Sequence, residues 1–469
     1  MADTQHGLDA PSPEPRIGIY DEEGYLAEDF LDRVKDAVDT DDQAYLRQTI
    51  APLHESELGD VLRNLDHDQR QSLVRLMGEE FDYTALTEVD EAIRLSIVDA
   101  MPNEQVAEAL RELDSDDAVY ILEDLGEEDR KEILAKLPFR ERLRLRRSLE
   151  YPEESAGRRM QTEFVAVPPY WTVGQTIDYM REEEDLPDSF AQIFVVDPTF
   201  KLLGAVDLDR ILRAKRPEKI DEIMHETRHA IPAETDQEEA AQTIEQYDLL
   251  SAAVVDENDR LVGILTIDDV IDIVQQEAEE DIRRMAGLGD EEISDTVVTA
   301  ARSRFLWLLV NLATAILASL VIGLFDASIQ QMVALAVLMP IVASMGGNAG
   351  TQTMTVTVRA LASRDLDIYN AGRIVRREVL IGLLNGAMFA VVIGVVAAVW
   401  FANVALGQVI AVAMIVNMLA AALAGILIPL VLDHFGADPA IASGTFVTTV
   451  TDVVGFFAFL GLASWWFSI

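Results

Sequence analysis

The sequence predicts a multidomain membrane protein: an all-α helical superhelix, two α/β modules in tandem, a long connecting helix and a five-helix α transmembrane domain. Three observations carry this. The net charge is −45 although half of the residues are apolar. The two properties are segregated: residues 302–469 hold seven Arg, no Lys and seven acids, which leaves 30 basic and 75 acidic groups for residues 1–301. The neutral part consists of five apolar runs, each long enough to span a bilayer at about 20 residues per span.

The acidity argues against nucleic-acid binding, which needs a basic face. It is compatible with divalent-cation binding and with adaptation to high salt. Only six of the 37 basic residues are Lys, which favours some salt adaptation. No cysteine is present, which removes disulfides and thiolate metal sites and fits a cytosolic soluble part. No nucleophile–base pair, phosphate loop or His cluster stands out, so no enzyme is expected. The first residues contain no apolar run of the signal-peptide kind.

Residues 1–20 are polar and Pro-rich, a flexible tail. Over residues 21–150 the period is helical. ELGDVLRNLDHDQRQSLVRLM (57–77) recurs as QVAEALRELDSDDAVYILEDL (105–125) and, overlapping it, as DAVYILEDLGEEDRKEILAKL (117–137). Leu62, Leu65 and Leu73 match Leu110 and Leu113, and then Leu122, Leu125 and Leu134. Short helices broken by acidic turns read as a stacked superhelix. The turn acids Asp66, Asp68, Asp114, Asp116 and Asp117 read mainly as helix caps, with cation binding as the alternative.

Residues 151–220 and 221–276 repeat the order strand, helix, strand, strand, helix. Strand-like runs lie at 164–167, 192–197 and 202–207, then at 230–233, 252–257 and 261–266. The copies end in similar phrases, LLGAVDLDRIL and LVGILTIDDVI. They resemble a tandem pair of cystathionine-β-synthase-type (CBS) domains, a regulatory module, with Gly263 placed at the hairpin. In nucleotide-binding members the Thr/Ser and Asp positions contact ribose and phosphate, and these fall on Thr266 and Asp269. Asp207 stands where a Thr would be in the first copy, so the resemblance leaves a nucleotide site open in the second copy only.

From Ile267 to about Met285 the chain reads as one helix leading into a connecting segment, 277–301. Asp269, Asp272, Glu277, Glu279 and Glu280 crowd its N-terminal half. The helix dipole tolerates acids there, but they repel one another at i,i+3 and i,i+4. The segment is either a solvated connector or a helix that docks only when divalent cations bridge its acids to another surface.

The membrane domain, 302–469, has apolar runs at 305–325, 328–358, 379–402, 408–432 and 440–467. Arg302 and Arg304 precede the first. Arg359, Arg364, Arg373, Arg376 and Arg377 lie between the second and third. By the positive-inside rule the N-terminal domains are cytosolic and the C-terminus lies outside the cell membrane.

From Val379 onward there is no Lys, Arg or Glu, and Asp452 is the one acid in mid-run. A carboxylate at bilayer depth costs about 2.5–3.5 kcal/mol on insertion scales. Thr445, Thr448 and Thr449 share its stripe; Asn348, Thr351, Gln352 and Thr355 form another, beside the small-xxx-small pair Gly346 and Gly350. Asp452 is either protonated or faces a wet path used by cations. Mg²⁺ sheds water reluctantly, so a wide polar pore suits it.

Together these features resemble the MgtE-type magnesium channel/transporter family, most specifically through GGNAGTQ (346–352), RALASRDL (359–366) and DPAIASGTFVTTVTDVVGFF (438–457). The resemblance implies a homodimer in the lipid bilayer that passes Mg²⁺. It implies hydrated Mg²⁺ at Asp452, near Thr448, Gly347, Asn348 and Thr351, the last position also taking Asn in the family. It further implies that the connecting helix acts as a plug, with regulatory Mg²⁺ at Asp269, Asp272, Glu277 and Glu280 closing the pore when cytosolic Mg²⁺ is high. Two alternatives stay open: a less selective transporter of Mn²⁺ or Co²⁺ (or a cation exchanger), and a nucleotide-sensing membrane protein without transport.

Overall fold

Among the described residues, nine short helices build the first part of the chain: α1 (Glu28–Asp39), α2 (Gln43–Thr49), α3 (Glu55–Asn64), α4 (His67–Met77), α5 (Glu91–Val98), α6 (Asn103–Glu112), α7 (Ser115–Glu123), α8 (Glu127–Lys136) and α9 (Phe139–Leu149). The computed structural model describes residues 18–468 apart from 184–185, 188, 227–228, 289–296, 364–365, 367–369 and 441–442. Most of the expected tail, the middle of the connecting segment and part of the RALASRDL motif lie outside these. The chain divides into two units, 1–275 and 276–469.

Helix starts in the first unit follow local chemistry. Asp66 accepts from the Gln69 amide while the Gln69 side chain accepts from the Asp66 amide, a capping box, and His54 with Glu57 forms another. One stripe of each helix feeds a single core, in which Leu62, Leu65, Leu73, Leu110, Leu122 and Leu125 are buried. Across this core runs a buried ion pair. Arg94 donates through Nε to Asp124 at 2.7 Å and to the carbonyls of Leu86 and Val89, and it stacks 4.3 Å from the Tyr120 ring.

The tandem modules follow a short helix, α10 (Ala156–Arg159). The first holds β1 (Ala166–Val167), α11 (Val173–Glu182), β2 (Gln192–Val196), β3 (Leu202–Asp207), α12 (Leu208–Arg213) and α13 (Ile220–Ile223). The second holds β4 (Ile231–Pro232), α14 (Gln237–Gln246), β5 (Ser251–Val255), β6 (Leu261–Thr266) and α15 (Ile267–Met285), which continues into the second unit. Both sheets pair a parallel edge strand with an antiparallel hairpin, and both shift register at the same place, Val195/Val196 and Val254/Val255. The hairpins turn on Asp197 and Asp256, whose carboxylates accept amides two and four residues on. Phe200 and Asp259 take positive φ there. Each hairpin pairs with the other: Leu202 N–H donates to Asp259 O and Leu261 N–H to Phe200 O. Gly263 belongs to the β5–β6 hairpin, though not to its turn. It lies inside β6, opposite Val254, where a Cβ would strike Met160 and the Gln161 carbonyl.

The second unit contains α16 (Val297–Gly323), a short α17 (Asp326–Gln331), α18 (Ala334–Ala362), α19 (Ala371–Trp400), α20 (Val404–His434) and α21 (Ser443–Phe467). Five of these are long and apolar enough to cross a membrane. The second span starts at Ala334 rather than 328, because Asp326–Gln331 turns separately, with Gln330 donating to Asp326. Small residues bring backbones together. Gly394 faces the Gly407 carbonyl, Gly382 faces Ala422, and Gly425 faces the Gly350 carbonyl.

Removing the Arg94 guanidinium strands Asp124 in the core of the first unit. Arg94→Ala is expected to cost about 3–5 kcal/mol, read as lost hydrogen-exchange protection across α5–α7 in the full chain.

Candidate ion pathway and cation-sensing sites

In the membrane unit, α18 and α21 pack antiparallel and side by side. A Cβ on Gly347 would sit 3.7 Å from Thr448 Cγ2, and one on Gly350 would meet Val447 and Thr451. Gly347 and Thr448 are therefore neighbours. Asp452 follows one turn beyond Thr448 and is half-buried. Thr351 donates to the Gly347 carbonyl at 3.0 Å and Thr448 to the Gly444 carbonyl at 2.7 Å. Both hydroxyl protons are satisfied within their own helices, so their oxygen lone pairs can still accept from the water shell of an ion.

Ser344, Asn348, Thr351, Gln352 and Thr355 form an exposed polar face on α18 of the single chain. Lipid cannot solvate such a face. Thr445 departs from the expected stripe. It is buried and donates to Asn311 Oδ1 of α16 at 2.6 Å, tying the first span to α21.

The four expected regulatory acids separate into two groups. Asp269 and Asp272 lie in the first unit, at the start of α15. Thr266 donates to Asp269 through both its amide and its hydroxyl, so these two residues form a helix cap. Asp269 is also coupled to acids of the helical superhelix. Burial raises the Asp116 carboxyl well above the usual range, helped by Asp269 and Asp117, and burial likewise raises Asp269. Burial, then Asp269, Asp114, Glu55 and Asp272, raise Asp117 to about 7. Burial also raises Asp272, as well as Glu88, which faces Asp272.

Asp116 and Asp117 are thus not simple caps. They sit in the first turn of α7 and turn inward into an acid cluster. Among the described residues no three Asp, Glu or His side chains converge as a ready-made metal site. The donors nonetheless suit a divalent cation: they are carboxylate oxygens, and Asp116 Oδ1 is buried with no hydrogen-bond partner among the described residues.

Glu277 and Glu280 lie in the second unit with Asp281. Burial, then Asp438 and Glu277, push the Asp281 carboxyl up to about 6. Arg284 enters this group, pairing with Glu280 and donating to Asp438 at 2.5 Å.

Comparison with known proteins agrees along the chain. A family profile described as "Divalent cation transporter" matches residues 339–462, one described as "MgtE intracellular N domain" matches 53–154, and CBS-domain profiles match 156–216 and 220–276. The chain is 36% identical over 316 residues to the magnesium transporter MgtE of Enterococcus faecalis, covering 67% of this chain and 70% of that protein. It is 29% identical over 419 residues to the magnesium transporter MgtE of Bacillus subtilis, covering 89% and 93%. Among solved structures it is similar to the cytosolic domain of the Mg²⁺ channel MgtE in complex with ATP, with 28% identity, a TM-score of 0.49 and coverage of 52% of this chain and 99% of that one. With its soluble modules, its five apolar helices and this similarity to transporters rather than enzymes, the chain belongs to the MgtE family of magnesium transporters.

Proposed function

We propose that two copies of this chain form a Mg²⁺ uptake channel in the cell membrane and that high cytosolic Mg²⁺ closes it. The observation that carries the reading is the exposed polar face of α18 beside half-buried Asp452, in a membrane unit with no Lys or Arg after Arg377. A second copy placed against that face removes the polar groups from lipid and brings two carboxylates to one axis. Asn348, Gly347, Thr351 and Thr448 then offer oxygens to hydrated Mg²⁺, and Asp452 supplies the charge. An odd number of spans sets the C-terminus outside if residues 1–301 are cytosolic. We assign residues 21–150 to the superhelix, 151–220 and 221–276 to the CBS domains, 277–301 to the connecting segment and 302–469 to the membrane domain.

Closure rests on the acids. With Mg²⁺ scarce, the cluster of Asp116, Asp117, Asp269 and Asp272 is uncompensated and disfavours the packed arrangement. Mg²⁺ that binds this arrangement better than the separated one shifts the equilibrium toward it. Glu277 and Glu280 act with Asp281 and Asp438 at the far end of α15. The cytosolic domain of a related Mg²⁺ channel binds ATP; here Thr266 and Asp269 would be the residues to engage a nucleotide, in place of the cap they now form.

Asp452→Asn in liposomes is expected to lower Mg²⁺ flux by about a hundredfold or more while the protein stays folded; wild-type flux would end the pore reading. Parallel flux of Mn²⁺, Co²⁺ and Ca²⁺ decides between a selective and a general divalent pathway. Neutralising Asp269, Asp272, Glu277 and Glu280 together is expected to move closure to higher Mg²⁺, and an unchanged closing range would refute these sites.

The raised carboxyls also set a pH dependence. Asp117 has a packed-state pKa of about 7 against an ordinary 3.8. Its proton stabilises packing at low pH, and that contribution is lost as pH rises through about 7. Without divalent ions, proteolysis between the superhelix and α15 should quicken from pH 5 to pH 8, and millimolar Mg²⁺ should suppress it at pH 8. Equal rates at both pH values would contradict the cluster's role.

A further inference from the structure

Asn417 stands in the middle of α20, fully buried among apolar side chains. Its Nδ2 donates to the Val342 carbonyl of α18 at 2.7 Å. Its Oδ1 is buried with no partner among the described residues. The carboxamide lies between two glycines on different helices. A Cβ on Gly346 of α18 would collide with Nδ2, and a Cβ on Gly455 of α21 would lie 2.8 Å from it. Gly346 immediately precedes Gly347, and Gly455 is three residues beyond Asp452. The amide therefore touches both helices of the candidate ion pathway from behind, within a turn of its main residues.

Helix association alone does not explain this arrangement. An apolar side chain of the same volume would fill the space without an unpaired oxygen, and interhelical hydrogen bonds in membranes add little on average. A planar amide fixed at one end to a backbone carbonyl has a defined thickness and direction, which a flexible apolar side chain lacks. Glycine at both 346 and 455 gives it room. We propose that Asn417 is a positioning residue: it holds α18 and α21 at a set separation, and so sets the width at Gly347 and Asp452 on which discrimination between divalent cations depends. This rests on the proposed pathway. Mg²⁺ retains its waters more firmly than larger divalent ions, so a change in width alters the ratio of fluxes and not only their size.

The test uses full-length protein in liposomes, with Mg²⁺ and Ca²⁺ flux measured per folded molecule for N417L, N417A and N417A/G346A. In the double variant the added methyl fills space vacated by the amide, so folding is expected to recover although the link to Val342 is gone. The expected result is a Ca²⁺-to-Mg²⁺ flux ratio raised at least about fivefold in N417L and in the double variant. A ratio equal to wild type in the folded double variant would overturn the positioning role, whatever its total flux, because filling space is then all that Asn417 does. D452N serves as the control: if it conducts normally, the pathway and this proposal fall together, whereas loss of flux in D452N with unchanged selectivity at Asn417 removes this proposal alone.

Discussion

A carboxylate within a membrane helix, with no Lys or Arg on its own helix or the one before it, is costly to keep charged unless something beyond those helices compensates it. Asp452 is that group, and the rest of the membrane unit is consistent with the constraint. Glycines let α18 approach α21 until Gly347 meets Thr448. The hydroxyls of Thr351 and Thr355 donate back to carbonyls of their own helix, which leaves their oxygens free to accept. The first unit repeats the same chemistry in water. Asp116, Asp117 and Asp269 are pressed together with burial rather than a basic partner governing their titration.

The two acid groups differ in how they are compensated. In the first unit no basic side chain is among the groups that set the titration of Asp116, Asp117 and Asp269. In the second, Arg284 reaches Glu280 and Asp438, so part of the charge at the end of α15 is already neutralised by the chain. The chain's total of −45 therefore says less than the local balance. A few carboxylates turn inward and are crowded without a basic partner, while acids on solvated surfaces are screened by salt.

Features carried by long periodic patterns were legible in the sequence. The five apolar helices, the helical repeats, the duplicated strand order and the helix ending at Met285 all depend on local composition. Contacts between distant segments were not. Asp116 lies in a turn phrase that looks like a cap, and only the stacking of the superhelix beside α15 brings it to Asp269, some 150 residues on. Gly263 falls in the hairpin as expected, but its reason for being a glycine, room for Met160 and the Gln161 carbonyl beside the strand, comes from a segment a hundred residues earlier. Thr445 fits a helical stripe with Asp452, but the stripe cannot reveal that Asn311 takes its hydroxyl. Asn417 carried a signal, a lone amide in the middle of an apolar run, which a search for charged groups passes over.

The glycine contacts between α19 and α20 have a mechanical consequence. Where Gly394 lies against the Gly407 carbonyl and Gly382 against Ala422, the backbones are nearly in contact, and sliding one helix along the other would drive main-chain atoms into each other. The same close approach joins α20 to α18, where Gly425 lies against the Gly350 carbonyl, so sliding is opposed along α18, α19 and α20 together.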